Sequence, residues 1–168
     1  IVNSNFNIIN SKFYNSLSDA IDIDFSDGII KNVELINIGN DALDFSGSNS
    51  QIFNIKIQKS GDKGISVGEN SNLEIKNIEI NKSYIGLAIK DDSIIKGSKI
   101  KVQNSYVGIA NYNKKSWFGG GNAQLNKVLI LNSENKYFNE EGSFMNINNF
   151  QIIPNHKNLF NKLYIPED

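Results

Sequence analysis

Asp41-Ala42-Leu43-Asp44-Phe45-Ser46 is one copy of a short phrase that recurs every 22 residues along this chain of 168 residues. In each copy, a small residue precedes a run of alternating apolar and outward-facing side chains. The five copies occupy residues 19–24, 41–46, 63–68, 85–90 and 107–112. A fixed period of this size indicates stacked supersecondary units rather than a single globular core.

Two further sets of short apolar segments keep nearly the same step between these copies. One set comprises residues 33–35, 55–57, 78–80, 100–102 and 128–130, and the other comprises residues 29–30, 51–52, 73–75, 94–95 and 124–125. Three short strands per coil with period-2 alternation are typical of a parallel β-helix. The sequence therefore predicts an all-β, single-stranded parallel β-helix of about six to seven coils, each of about 22 residues.

Residues one coil apart become spatial neighbours in such a solenoid, about 4.8 Å away. The apolar positions of the phrase are expected to stack in the interior, and they are Ile21, Ile23, Leu43, Phe45, Ile65, Val67, Leu87, Ile89 and Ile109. Four asparagines with the same step predict an amide ladder at a turn, and they are Asn10, Asn32, Asn54 and Asn77.

The regular step breaks once. From Ile100 to Val128 the spacing is 28 residues, so residues 111–122 contain an inserted loop, and insertions in repeat proteins often lie on a binding face.

We assign residues 1–153 to the β-helix and residues 154–168 to a C-terminal capping segment. This segment is expected to cover the open end of the core, as indicated by Pro154, Pro166 and the clustered Leu159, Phe160, Leu163 and Tyr164. Because the first ten residues already follow the strand pattern, we expect the chain to be a fragment of a longer protein.

The composition argues against several classes of function. The formal net charge is −1 with interspersed signs, which gives no basic surface for nucleic acid. No apolar run is long enough to insert into a membrane. The chain has no cysteine, which excludes disulfides and thiolate metal sites.

Alternation places one polar strip on the outside of the repeated phrase. Its residues are Asp22, Asp24, Asp44, Ser46, Ser66, Gly68, Ala88, Lys90, Ala110 and Tyr112. Asp22 faces Asp44 on the next coil, and Asp19 similarly faces Asp41, so like charges repel. A Ca²⁺ ion held by these four aspartates would relieve the repulsion, as would a shared proton. Alternatively, Lys63 pairs with Asp41 and the turn aspartates accept backbone hydrogen bonds.

Several side chains around this strip have the chemistry of a saccharide-active site. Asp22, Asp44, Glu69, Lys90 and Tyr112 are the candidate catalytic residues, because carboxylates serve as acid and base in glycoside cleavage and a lysine or tyrosine can abstract a proton. The candidate ligand-binding residues are Ser66, Asp91, Lys114, Lys115 and Trp117. Trp117 either projects as a platform for a sugar ring or folds onto the solenoid. A solvated surface without catalytic function also fits this composition.

The repeated phrases resemble a known family. Ser18-Asp19-Ala20-Ile21-Asp22-Ile23-Asp24 and the equivalent motifs at residues 40–48, 62–69 and 85–91 look like right-handed parallel β-helices of the pectate-lyase-like superfamily. More narrowly, they resemble β-helix segments of bacterial surface proteins found alongside CotH-kinase-like domains. Pectate lyases of this fold use a calcium site and an arginine base, whereas this chain has no arginine, so Lys90, Lys114 or Tyr112 would have to replace it.

Three functions remain open at this point. The first is a noncatalytic extracellular module of a larger bacterial surface protein, a rigid scaffold with a carbohydrate-binding or interaction face. The second is a polysaccharide lyase or glycoside hydrolase acting on an acidic glycan, and the third is an oligomerising fibre or tailspike-like arm. The expected partners are a polysaccharide or cell-surface glycan and other domains of the same polypeptide, and the expected location is extracellular or at the cell surface.

Overall fold

The structure is a computed structural model that describes residues 1–165. The elements follow one another as β1 (Asn5–Tyr14), β2 (Ile21–Asp24), β3 (Asp27–Ile38), β4 (Leu43–Ser46), β5 (Asn49–Ser60), β6 (Lys63–Gly68), β7 (Asn72–Asn81), β8 (Ile85–Lys90), β9 (Ile94–Gln103), β10 (Val107–Tyr112), β11 (Asn122–Leu131), β12 (Asn135–Asn139), β13 (Phe144–Ile147), β14 (Phe150–Gln151) and α1 (Leu159–Tyr164). The all-β parallel solenoid predicted from the repeat is confirmed.

The strands form two sheets that share the solenoid axis. Sheet A is the six-stranded sheet β2-β4-β6-β8-β10-β12, and sheet B is the eight-stranded sheet β1-β3-β5-β7-β9-β11-β13-β14. Pairing is parallel except between β13 and β14. Asp44 pairs with Asp22 on one side and Ser66 on the other, as the 22-residue register requires.

Each long strand of sheet B contains two of the three predicted segments and bends between them. The bend falls at Asn10, Asn32, Asn54 and Asn77, whose φ angles are 51°, 55°, 57° and 59°. Asparagine adopts this left-handed conformation more readily than other residues with a side chain. The amide of Asn32 donates to Asn10 Oδ1 at 2.8 Å, and the ladder continues through Asn54 to Asn77. The predicted amide ladder is therefore confirmed.

The interior consists of the predicted apolar columns. All nine of the expected residues of the phrase belong to one buried cluster, together with the inward residues of sheet B. Burying a side chain such as leucine or isoleucine stabilises the fold by about 1.5 to 3 kcal/mol. A column of serines was not predicted, although it keeps the same step. Ser26, Ser48, Ser71 and Ser93 each accept a backbone N–H of the preceding coil at 3.0 to 3.1 Å.

The C-terminal segment does not lie where the sequence predicted. We expected it to cover the open end of the core, but α1 packs on the outer face of sheet A. Leu159 and Leu163 are buried in a cluster with Ile85, Ala88, Val107, Ala110, Tyr112 and Phe138. Ile85 and Ala88 of β8 and Val107 and Ala110 of β10 are small or apolar, so α1 can pack against this face. Pro166 lies outside the described residues.

Candidate functional site

The outer face of sheet A is divided into two parts that we call the open half and the covered half. In the open half, on β2 and β4, Asp22 is exposed and Asp24, Asp44 and Ser46 are half-buried. In the covered half, every residue of β6, β8 and β10 is buried. The prediction of one continuous exposed strip is therefore wrong for Ser66, Gly68, Ala88, Lys90, Ala110 and Tyr112. The apolar contact with the C-terminal segment, residues 154–165, is the physical reason for β8 and β10.

Tyr112, a predicted catalytic residue, is fully buried in the covered half. Burial raises the pKa of its hydroxyl well above the ordinary value, and the neighbouring Tyr164 adds to the shift. The hydroxyl oxygen has no hydrogen-bond partner in the described part of the chain. A neutral phenol in this position cannot act as a base on a ligand outside.

Lys63 joins the edge of sheet A to the C-terminal segment. Its ammonium lies 3.4 Å from Asp41 Oδ1, contacts the Asp62 carboxylate and lies 5.3 Å from the centre of the Tyr164 ring. The Tyr164 hydroxyl donates to Asp62 Oδ1 at 3.0 Å. Burial raises the pKa of Asp41 to about 6, although the charge of Lys63 opposes the shift. The pairing of Lys63 with Asp41 is thus the arrangement observed.

Two of the four aspartates proposed as a calcium site, Asp19 and Asp41, already accept backbone hydrogen bonds. Asp19 Oδ1 accepts the backbone N–H of Asp41 at 2.9 Å, and Asp41 Oδ1 accepts that of Lys63 at the same distance. Burial raises the pKa of Asp22, and repulsion from Asp24 and Asp44 raises it further. Within residues 1–165, no three acidic, histidine or cysteine side chains converge to hold a metal ion. The geometry therefore gives no support to calcium binding by Asp19, Asp22, Asp41 and Asp44.

The insertion loop, residues 113–121 between β10 and β11, is anchored on predicted site residues. Buried Asp91 accepts the backbone N–H groups of Lys114 at 2.7 Å and Lys115 at 2.9 Å. The Lys115 ammonium contacts the Glu69 carboxylate, which also accepts the Ser46 hydroxyl at 3.3 Å. The fold thus brings Glu69, Asp91 and the two lysines together. The polar groups of Glu69, Asp91 and Lys115 are engaged in contacts that hold the loop.

Trp117 projects from this loop. Its residue surface is 75% exposed, and its nearest aromatic partner is Phe118, with 6.3 Å between ring centres. Of the two alternatives left open by the sequence, the structure supports the projecting side chain rather than one folded onto the solenoid.

A group of polar atoms at the border between the two halves lacks internal partners. Asp44 Oδ1 and Ser66 Oγ are buried without a hydrogen bond. The Lys90 side chain crosses Gly68, where a Cβ would lie 3.2 Å from Lys90 Cε. Burial lowers the pKa of Lys90, whereas the charge of Asp44 opposes the shift. Lys90 forms no ion pair among the described residues, and it is 6% exposed.

Glu140 is a structural residue that the sequence analysis missed. It is 7% exposed, and its two carboxylate oxygens accept the backbone N–H of Asn113 at 2.6 Å and that of Leu159 at 2.7 Å. It thereby ties the insertion loop to the C-terminal segment beside a groove of about 650 Å³. The sequence carries no signal for this role, because the contact of Glu140 with Leu159 lies outside the repeat.

A larger groove of about 880 Å³ crosses the outer face of sheet B and was also missed. Two pairs of its polar side chains are joined by hydrogen bonds between neighbouring coils. The Asn49 amide donates to Asp27 Oδ1 at 3.0 Å, and the Gln51 amide donates to Glu74 at 3.3 Å. Cross-coil ladders of this kind stabilise the sheet and do not form a reactive site.

Comparison with known proteins agrees with the architecture. A family model described as a right-handed β-helix region matches residues 2–152. The matched range extends over β1 to β14 and ends before α1. No curated protein and no solved structure gives a significant match. Among the described residues, no helix is long and apolar enough to cross a membrane.

Proposed function

The chain belongs to the family of right-handed β-helix regions, and we propose that it serves as a rigid, noncatalytic module whose insertion loop binds carbohydrate. The observation that carries this proposal is a contrast in accessibility. Trp117 is 75% exposed on the one irregular loop of the solenoid, whereas Tyr112 and Lys63 are sealed beneath the C-terminal segment. A site for a large glycan needs accessible groups, and the loop provides them.

The chemistry of the loop supports a saccharide ligand. An indole ring combines a large apolar face with a polar N–H, which suits a sugar ring that is apolar on its faces and polar at its edges. Lys114 lies three residues before Trp117 on the same loop and is exposed, with no salt bridge among the described residues. The anchoring of the loop by Asp91 and Glu69 lowers the entropy lost on binding.

The proposed setting of the module follows from its ligand. Polysaccharides and cell-surface glycans are encountered outside the cell, so the proposal places the module at a bacterial cell surface, joined to other domains of its polypeptide. A parallel solenoid suits this role because it is stiff along its axis and presents loops at fixed intervals.

Titration of the intrinsic fluorescence with a panel of acidic and neutral polysaccharides tests the proposal. Trp117 is the one tryptophan of the chain, so a change in its emission reports directly on the loop. We expect Trp117→Ala to weaken binding, measured by affinity electrophoresis, by about five- to 150-fold, since stacking of a ring on an aromatic side chain contributes about 1 to 3 kcal/mol.

The matched control is Phe150→Ala, which removes an equally exposed aromatic, at 74%, from the end of sheet B. It should leave binding unchanged. Equal affinity for Trp117→Ala and the unmodified chain, or no binding to any polysaccharide of the panel, would reject the proposal.

A second candidate is a polysaccharide lyase or hydrolase, and the free polar group at the border of the two halves favours it. Lys90 has a lowered pKa, and Asp44 and Ser66 retain unpaired polar atoms beside it. Incubation with uronate-containing polysaccharides, followed by absorbance of the unsaturated product and by reducing-sugar release, detects either activity. An enzyme should lose turnover in Lys90→Met without a large loss of stability. If no polysaccharide of the panel gives unsaturated product or reducing sugar, this candidate is rejected.

A further inference from the structure

We propose that the groove between the insertion loop and the C-terminal segment binds a sugar ring of the glycan, an inference that rests on the proposed function. The groove encloses about 650 Å³, within the range of about 300 to 1,000 Å³ that is usual for small-molecule sites. One wall is formed by the insertion loop, which also carries Trp117, and the other is formed by residues 157–161. The groove and the tryptophan therefore share one loop, although Trp117 itself does not line the groove.

The two walls present groups that match a sugar. Ser116, Asn158 and Asn161 form no side-chain hydrogen bonds among residues 1–165, so a hydroxyl and two amides are available to a ligand. Each of these groups can both donate and accept, as sugar hydroxyls do. The half-buried ring of Phe160 lies in the same wall and offers an apolar surface, 6.0 Å from the Lys114 ammonium.

Two glycines of the loop, Gly119 and Gly120, line the groove and lie close against neighbouring segments. A Cβ on Gly120 would lie 2.1 Å from Ser143 Oγ, and one on Gly119 would lie 2.5 Å from Asp92 Oδ1. At Gly120 a Cβ would also lie 2.8 Å from the carbonyl oxygen of Gly142, so only glycine lets the loop approach this backbone so closely. A larger residue at position 120 would push the loop away from the turn before β13 and change the width of the groove.

Glu140 fixes the distance between the walls and is a positioning residue in this proposal. Its carboxylate accepts one backbone N–H from each wall, and hydrogen bonds to an ionised acceptor are stronger than neutral ones. The neighbouring Glu141 offers a natural contrast. Its carboxylate is exposed and pairs with Lys157 on the surface at 3.2 Å.

Two isosteric variants test the positioning role without any glycan. In Glu140→Gln the side chain loses its charge and one of its two acceptor oxygens, so the loop should loosen. We expect lower fluorescence anisotropy at Trp117 and faster amide hydrogen exchange at Asn113. Glu141→Gln should leave both readouts unchanged. Equal anisotropy and exchange in the two variants would overturn the positioning role.

Asn161→Ala tests the ligand site itself, since the side chain is exposed and its removal leaves the fold intact. We expect a three- to tenfold loss of glycan affinity, corresponding to about one hydrogen bond. The matched control is Asn126→Ala on the far side of the solenoid, which should bind normally. If Trp117→Ala weakens binding while Asn161→Ala and Glu140→Gln do not, the groove is not the sugar site and the proposed function stands. If no glycan binds the unmodified chain, the proposed function fails as well.

Discussion

The open and covered halves of sheet A share one backbone and one register but differ in what lies outside. In the open half the outward column reads Asp22 and Asp44, and in the covered half it reads Ala88 and Ala110. The inward residues are large and apolar in both halves. The repeat thus determines the solenoid. Its outward residues determine whether a coil is exposed to solvent or is covered by another segment.

The same contrast accounts for the drift of the repeat from acidic to apolar outward residues. A purely exposed strip has no need of alanine, isoleucine and valine at positions 88, 110, 85 and 107. Leu159 and Leu163 are buried against these residues, and each contributes about 1.5 to 3 kcal/mol by leaving water. The change from acidic to apolar outward residues is therefore explained by the packing of the C-terminal segment, not by a gradient along a binding strip.

Exchanging the residue types of the two halves should have the largest effect. Ala110→Asp places a carboxylate at a fully buried position, which costs about 3 to 5 kcal/mol unless the C-terminal segment lifts away. Asp22→Ala makes the reverse exchange in the same column and should change stability by less than about 0.5 kcal/mol. Urea unfolding measures both values, and protease cleavage within residues 154–165 reports a released segment. Similar small effects in both variants would show that the covered half is not covered.

The pH dependence of the free energy of unfolding tests the buried pair of Asp41 and Lys63, where the open half meets the covered half. The pKa of Asp41 is raised to about 6 in the fold, so the folded chain retains a proton that the unfolded chain has lost. Stability from this group is therefore greatest below the ordinary pKa of aspartate and declines as pH rises to about 6, by on the order of 2 kcal/mol.

Thermal unfolding between about pH 4 and pH 7 checks this sign against Asp41→Asn, which cannot titrate. The unmodified chain should gain stability relative to the variant as pH falls. A relative loss on acidification would mean that Lys63 stabilises the ionised carboxylate more than burial penalises it.

Calcium should have the smallest effect. The carboxylates of Asp19 and Asp41 are occupied by backbone N–H groups, and no metal-binding cluster is present among residues 1–165. We expect the Tm to shift by less than about 1 °C on adding millimolar calcium or a chelator, because a ligand stabilises only the state that binds it. A larger rise in Tm with calcium that disappears in Asp22→Ala would show that the open half binds a metal ion.

The sequence predicted the solenoid because its periodic signal is repeated in every coil. Ile23, Phe45 and Val67 show it in the core, and the ladder from Asn10 to Asn77 shows it at the bend. The site was predicted less well because it depends on contacts with no period. The seat of α1 on Ala88 and the bond from Glu140 to Leu159 join residues whose separation follows no multiple of 22. The alternation of the strand predicts that the Tyr112 side chain points outward, but it does not predict that the C-terminal segment covers it.

Methyl NOE spectroscopy examines the covered half without any variant. The seat of the C-terminal segment on sheet A predicts NOEs from the methyl groups of Leu159 and Leu163 to those of Ile85, Ala88, Val107 or Ala110. Their presence would support a sealed face and leave the insertion loop as the accessible binding surface. Random-coil shifts for both leucines, with no NOE to sheet A, would contradict it and return Tyr112 to the surface.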